Sequence, residues 1–289
     1  MSYAFRPSDA SAQAGLRRIA RAELSGALKR LDGGLPDAAA VHGLRRHTKK
    51  LRGLIRLVRP VFPAFAGVNA VLRDGAARLA PLRDAEVRLA TLQALGPDLP
   101  GAGSVLERLA AEVEAERARA DLPAELARLA EEMAVLRKGA RDWRLKAGGW
   151  DALAPGLGAT WRAGRQGLRD AARAETAAPF HEWRKAVKHH WYQARLLEPL
   201  WPAVLSPWIA VVDALGEALG RHNDLDVLHA HLGPDLDPAL ADAITARMGQ
   251  EAGAALSLGR RVYADRPGAL ARRWGVWWDA WRAAGPGRV

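Results

Sequence analysis

The 289-residue chain has no cysteine. Disulfide frameworks, thiolate nucleophiles and cysteine-ligated zinc are therefore excluded. Long apolar runs are missing too. No uninterrupted stretch reaches the roughly 18 residues of a membrane-spanning helix, so no membrane insertion is expected. The opening residues, MSYAFRPSDASAQAGLRRIA, lack the apolar core of a secretory signal, which makes a cytoplasmic location the expectation. Alternating Val, Ile and Thr are scarce, which argues against strands. No P-loop, GxGxxG, HExxH or nucleophile-elbow serine motif occurs. Aromatic residues make up only 6%, and all 11 Trp lie between Trp143 and Trp281.

What is present suits a folded domain. The chain is 49% hydrophobic and 26% charged, and it is long enough to bury a substantial core. Lys and Arg number 43 against 32 Asp and Glu, a net charge of +11, which points to a polyanion or an anionic surface as partner. The excess is local. Residues 41–63 hold Arg45, Arg46, Lys49, Lys50, Arg52, Arg56 and Arg59 with no acid, a charge of +7. Residues 180–202 hold Arg184, Lys185, Lys188 and Arg195 against Glu182 and Glu198, a charge of +2. The rest of the chain is nearly neutral.

Helical periodicity runs through almost every segment, punctuated by Gly and Pro. Helices are predicted from Ser8 to Leu31 (stopped by Gly33-Gly34), from a Pro36-Asp37 cap to Arg59, and from Pro63 to Leu95 with a kink at Pro81. Further helices are predicted from a Ser104 cap to Ala120, from Pro123 to Gly139, and over 159–175, 180–198, 203–231, 237–264 and 267–283. Residues 140–158 read as a loop between two halves, 1–145 and 146–289.

An internal repeat supports that division. VHGLRRHTKKLRGLIRLVRPVFP (41–63) aligns without gaps to FHEWRKAVKHHWYQARLLEPLWP (180–202), a spacing of 139 residues. His42/His181, Arg45/Arg184, Lys49/Lys188, Arg56/Arg195, Leu57/Leu196, Pro60/Pro199 and Pro63/Pro202 are identical pairs. RDAEV (83–87) answers NDLDV (223–227).

On the first repeat helix, Val41, Leu44, Thr48, Leu51, Ile55, Val58 and Phe62 form one stripe that should be buried. His42, Arg45, Lys49, Arg52, Arg56 and Arg59 form another, about 100° away. Arg46, His47 and Lys50 widen that polar side. Like charges one turn apart repel, and no Asp or Glu is interspersed to relieve them. An anion that neutralises the row explains the pattern, and Arg suits phosphate because its planar fork donates two parallel hydrogen bonds.

The patterns HxxRxxxKKLRxxxRLxRP and HxxRKxxKxxxYxxxLLEP, with RDAEV and NDLDV after them, resemble the CHAD family, the conserved histidine α-helical domains. The resemblance spans about residues 8 to 283. It implies an all-α fold of two helical bundles related by a pseudo-twofold axis around a basic cavity or groove. It implies binding of inorganic polyphosphate, with association to polyphosphate granules in some members. The family's anion-binding residues match His42, Arg45, Lys49, Lys50, Arg52 and Arg56, and in the second copy His181, Arg184, Lys185, Lys188 and Tyr192. Arg46, His189 and Arg195 join the candidate set from their places on the two helices. In the second copy His189, His190 and Trp191 replace the usual basic–basic–Leu–Arg run. That weakens this half and adds an expected pH dependence through His189. The ExExK motif of the triphosphatase-like domains that accompany this family does not occur, which favours a standalone binding protein with no catalysis, cofactor or metal.

Single-stranded nucleic acid is the rival polyanion, but such binders interleave aromatics with cations, and residues 41–61 contain none. Asp84, Glu86, Asp224 and Asp226 raise the alternative of a metal-dependent enzyme acting on phosphoanhydrides; the favoured role is to pair with Arg on the basic helices. His222, Asp226 and His229 share a helix face but lack a fourth ligand. Trp274, Trp277, Trp278 and Trp281 read as core packing.

Overall fold

The computed structural model describes residues 3–31, 38–119, 121–234 and 236–285. The Gly33-Gly34 stop and the Pro36-Asp37 cap lie outside them. Eleven α-helices and no strand are found among the described residues. They are α1 (Ala12–Leu31), α2 (Ala38–Leu57), α3 (Phe65–Arg78), α4 (Ala80–Leu95), α5 (Ala102–Arg119), α6 (Leu122–Gly139), α7 (Ala154–Ala171), α8 (Ala178–Leu197), α9 (Pro202–Leu232), α10 (Pro238–Val262) and α11 (Pro267–Ala284). The all-α expectation is met.

Three boundaries differ from the sequence reading. Pro81 does not kink one long helix; α3 stops and α4 starts across Leu79, with Pro81 in the first turn, where its missing N–H costs nothing. Ser104 lies inside α5 and donates back to the Gly101 carbonyl, so it caps nothing. The stretch APGLG is the start of α7 rather than loop. Gly156 is there for proximity, since a Cβ on it would overlap the Leu57 carbonyl oxygen at the end of α2.

α2 is the central element. Every residue of its predicted stripe, from Val41 to Phe62, is buried. Thr48 satisfies its hydroxyl on the Leu44 carbonyl. Leu54 and Leu57 are also fully buried, on a second side, because α2 packs against α8 and α7 as well as α1. The α2–α8 crossing is close at Gly53, where a Cβ would stand 2.5 Å from Tyr192 Cβ. Gly53 and Tyr192 are separated by the repeat spacing of 139 residues, so equivalent positions of the two basic helices meet. Both helices then end in a short 3-10 turn carrying the repeated proline, Arg59–Val61 and Glu198–Leu200. The chain entering α1 bonds to the end of α8, Phe5 N–H to the Leu196 carbonyl, while the start of α7 abuts Leu57 at the end of α2. Leu57 and Leu196 are again repeat equivalents.

One large core runs from Tyr3 to Trp281 and draws on both halves of the sequence. Its first part is mainly aliphatic, while Trp161, Trp183 and Trp274 are fully buried in the second. A smaller core joins Leu92 and Leu109 to Leu225, Leu228 and Ile244, tying α4 and α5 to α9 and α10. By length and composition α9 is apolar enough to cross a membrane. Here its apolar residues pack on α8 and α10, and its Asp213 and Glu217 engage a lysine of α8.

Candidate anion-binding face

Arg45, Lys49, Arg52 and Arg56 line one side of α2 beside α8. None has an ion pair among the described residues. Their anchors are neutral: Arg45 Nη1 donates to the Ala76 carbonyl at 3.3 Å, and Arg52 Nε to Asn69 Oδ1 at 3.4 Å, both from α3. A neutral acceptor fixes a guanidinium without cancelling its charge. Burial, then Arg83, lowers the pKa of Arg45; burial, then Arg73, does the same for Arg52; burial, then Arg52 and Arg59, for Arg56. The Nε groups of Arg56 and, on α8, Arg184 are buried with no acceptor. Unpaired buried donors are costly, and a ligand that accepts from them removes the cost.

Lys49 lies at the focus of this face. Its side chain keeps solvent-exposed surface in the free protein. Even so, desolvation by the surrounding protein, followed by repulsion from Arg45, Arg184, Arg83 and Lys188, pushes its pKa down to about 8. Those four neighbours come from α2, α4 and α8. Arg83 was not among the candidates from the sequence. Its place at the head of RDAEV, aligned with Asn223 of NDLDV, was the available signal.

Other candidates are drawn elsewhere. Lys50 turns to α1 and pairs with Glu23 at 3.1 Å; His47 meets the same carboxylate at 2.7 Å. Burial alone would raise the pKa of Glu23, which is 2% exposed, but His47 and Lys50 outweigh it and hold it below the usual range. Arg46 is exposed. On α8, Lys185 pairs with Glu182 at 2.6 Å, and Lys188 with Glu217 at 2.6 Å and Asp213 at 3.4 Å. Arg195 stacks its guanidinium 4.7 Å from the Trp191 ring centre, whose indole also meets Lys188 at 5.4 Å. Tyr192 fills the helix crossing, its pKa raised to about 12 mainly by burial.

The histidines divide. His181 bonds through Nδ1 to Asn223 Oδ1, and Asn223 in turn donates to Asp224 at 3.3 Å, so the first position of the second repeat helix is tied to NDLDV. His42 is exposed and lines a cleft of about 780 Å³ with Arg45, Arg83, Glu86 and Glu125. That cleft has walls of both signs. His189 faces Arg52 and Arg56. Burial, then those two cations, pushes its pKa down to about 3, so the free protein holds it neutral throughout the physiological range. The expected protonation of His189 near neutrality is therefore corrected.

Among the acidic marks, Asp84 acts through its charge on Arg45 and opposes the fall of that pKa. Glu86 approaches Arg117 of α5 at 3.9 Å, and Asp224 accepts from Asn223. The carboxylates that form ion pairs with the basic helices are Glu23, Glu182, Asp213 and Glu217. His222 is buried and stacks on Phe180, 4.5 Å between ring centres, rather than turning toward a metal.

Comparison with solved structures finds the same fold in PptA from Streptomyces chartreusis, at 20% identity and a TM-score of 0.57, covering 89% of this chain and 98% of that one. The CHAD domain from the plant Ricinus communis matches at 20% identity and a TM-score of 0.60, covering 90% and 96%. No curated protein sequence matches the chain. The CHAD domain family model matches residues 10–233, most of the chain and both basic helices, and with that match the chain belongs to the CHAD domain family.

Proposed function

We propose that this protein binds inorganic polyphosphate without hydrolysing it. The observation that carries the reading is the α2 row Arg45–Lys49–Arg52–Arg56, which forms no ion pair with a carboxylate among the described residues and faces Arg184 of α8. A row of cations at helical spacing suits a chain of phosphates, and its mutual repulsion is relieved when the anion arrives. The side chains proposed to contact phosphate are Arg45, Lys49, Arg52, Arg56, Arg184 and His42, with Arg46 and Lys185 at the rim. Lys50, His181 and Tyr192 act as scaffold. Lys188, His189 and Arg195 contribute to the extent that their own partners release them. We read the halves 1–145 and 146–289 as two copies related by a pseudo-twofold axis through the Gly53–Tyr192 crossing.

The aromatic residues support polyphosphate over single-stranded nucleic acid. Trp183 is fully buried, Trp191 is covered by Lys188 and Arg195, and Tyr192 fills the crossing. None of the three is free to stack a series of bases. With this ligand we read the site of action as cytoplasmic, and association with polyphosphate granules is compatible with it.

The test is Arg45→Glu/Lys49→Glu/Arg52→Glu. None of the three side chains belongs to the buried apolar stripe of α2, so the variant is expected to keep its helical circular dichroism and lose polyphosphate binding. Binding as tight as wild type would overturn the assignment. Titration of long polyphosphate against single-stranded RNA at fixed salt is expected to displace the RNA.

A further inference from the structure

A second cleft, of about 270 Å³, opens between α4, α9 and α10. The apolar part of its lining is Val87, Ala90, Ala94 and Leu95 from α4 and Leu225 from α9. The polar part is Arg83 and Thr91 from α4, Arg221 and Asp224 from α9, and Arg247 from α10. Arg221 and Arg247 are fixed by a shared partner, Glu251, which is 5% exposed and takes a two-pronged bond from Arg221 at 2.8 and 2.9 Å and one from Arg247 at 3.1 Å.

Arg83 connects this cleft to the anion face. It is an electrostatic neighbour of both Lys49 and Arg45. Arg45 and Arg83 line one cleft, so a phosphate chain along Lys49 and Arg45 reaches Arg83; beyond it the second cleft offers apolar surface and one carboxylate, with Arg221 and Arg247 committed to Glu251. Inorganic phosphate has no use for apolar walls, and an anionic carboxylate repels it. A phosphate chain ending in a compact organic group with hydrogen-bond donors matches all three features. The volume sits close to the lower end, roughly 300 Å³, of pockets that take small organic ligands.

Resting on the polyphosphate reading of the anion face, we infer that the α4–α9–α10 cleft is an end-group subsite that admits a nucleoside-capped oligophosphate. The base lies against Val87, Leu95 and Leu225, a ribose hydroxyl or exocyclic amine donates to Asp224, and the phosphates pass Arg83 toward Lys49. One cleft at one end holds one base, which separates this ligand from a nucleic-acid strand with a base on every phosphate.

The experiment compares adenosine 5′-triphosphate with inorganic tripolyphosphate by calorimetry on the intact protein, at equal ionic strength and without divalent cations. The nucleotide is expected to bind about tenfold more tightly, about 1.4 kcal/mol, although it carries less charge. Ala90→Trp and, separately, Ala94→Trp fill the cleft from exposed positions of α4, and each is expected to abolish that preference while leaving tripolyphosphate affinity unchanged. Equal affinity for the two ligands in the wild type, or an unaltered preference in both folded variants, overturns the subsite and leaves the polyphosphate reading standing. Nucleotide binding with no tripolyphosphate binding upholds the cleft and overturns that reading. Binding of neither overturns both.

Discussion

The two basic helices share a motif but differ in what their cations touch. On α2, Arg45, Lys49, Arg52 and Arg56 form no ion pair among the described residues; their hydrogen bonds go to neutral acceptors, and the one carboxylate acting on them is Asp84, on Arg45. On α8, Lys185 is held by Glu182, Lys188 by Glu217 and Asp213, and Arg195 by the face of Trp191; only Arg184 keeps a buried, unpaired Nε. Net charges of +7 and +2 already rank the helices in that order. The availability of the cations widens the gap, because a lysine already paired with two carboxylates must release them before it can serve a ligand. The first basic helix keeps its row of cations out of ion pairs, while the second engages its lysines with Glu182 and with Asp213 and Glu217 of α9.

The largest expected effect breaks this comparison at α2. Arg45→Glu/Lys49→Glu/Arg52→Glu is expected to weaken polyphosphate binding at least about a hundredfold, roughly 2.8 kcal/mol. Lys185→Glu/Lys188→Glu is expected to change it by less than about tenfold, since those charges are already engaged. Salt titrations sharpen the contrast. For a linear single-stranded polyanion each neutralised phosphate adds roughly 0.7 to the slope of log affinity against log salt, so removing three free cations from α2 should lower the slope by about 2. Equal losses from the two helices would show that pairing with α9 does not withhold charge.

Next in size is the joint between the helices. Gly53→Ala places a Cβ 2.5 Å from Tyr192 Cβ and 3.0 Å from Tyr3 Oη, which also donates to the Lys50 carbonyl. Forcing the helices apart should cost about 1–3 kcal/mol and lower the melting temperature by several degrees. A fully stable variant would mean that the crossing can widen freely, and the two rows would then not be held at a fixed separation.

Much of this was legible in the sequence, and the reason for each success is local. The buried stripe of α2 from Val41 to Phe62, the prolines that end both basic helices and the lack of carboxylates within 41–63 depend on neighbours within one or two turns. What was not legible depends on which helix lies opposite. Lys50 and Lys49 are adjacent and chemically identical, but one faces Glu23 on α1 and the other faces Arg184 on α8. Asp213 and Glu217 sit a full helix away from Lys188, with nothing local to mark them as its partners. Arg83 joins the face because the fold brings the start of α4 to the cleft that also holds Arg45. The glycines of APGLG look like breakers until Leu57 is seen against Gly156.

Lys49 supplies a pH test of the same asymmetry, of about tenfold. Its pKa in the folded protein is depressed to about 8 from a usual 10.5. The folded state therefore holds fewer protons than the unfolded state between those values, and the destabilisation from this crowded cation, present in full below about pH 8, is relieved as pH rises. Ligand binding runs the other way. A polyanion favours the protonated amine, so affinity should be full below about pH 8 and fall about tenfold or more by pH 9.5. Lys49→Arg should remove that fall, since guanidinium stays charged. His189, at about 3, should add no step between pH 6 and 8 in the free protein.

The smallest effect restores charge to α8 instead of removing it from α2. Lys188 is 26% exposed, while Asp213 and Glu217 are 42% and 59% exposed. Ion pairs this open contribute little to stability, typically under about 1 kcal/mol, so Asp213→Asn/Glu217→Gln should melt close to wild type. Two carboxylates then no longer compete for the Lys188 ammonium, which already lies close enough to Lys49 to depress its pKa. Polyphosphate affinity should rise about threefold, roughly 0.6 kcal/mol, and the Lys49 pKa should fall further as the repulsion grows. The pair of readouts matters because a general gain in net charge would raise affinity without moving the Lys49 titration, whereas release of Lys188 moves both. An unchanged affinity with a shifted Lys49 titration would place Lys188 beside the ligand path but out of reach of its phosphates, and the working face would then belong to α2 and Arg184.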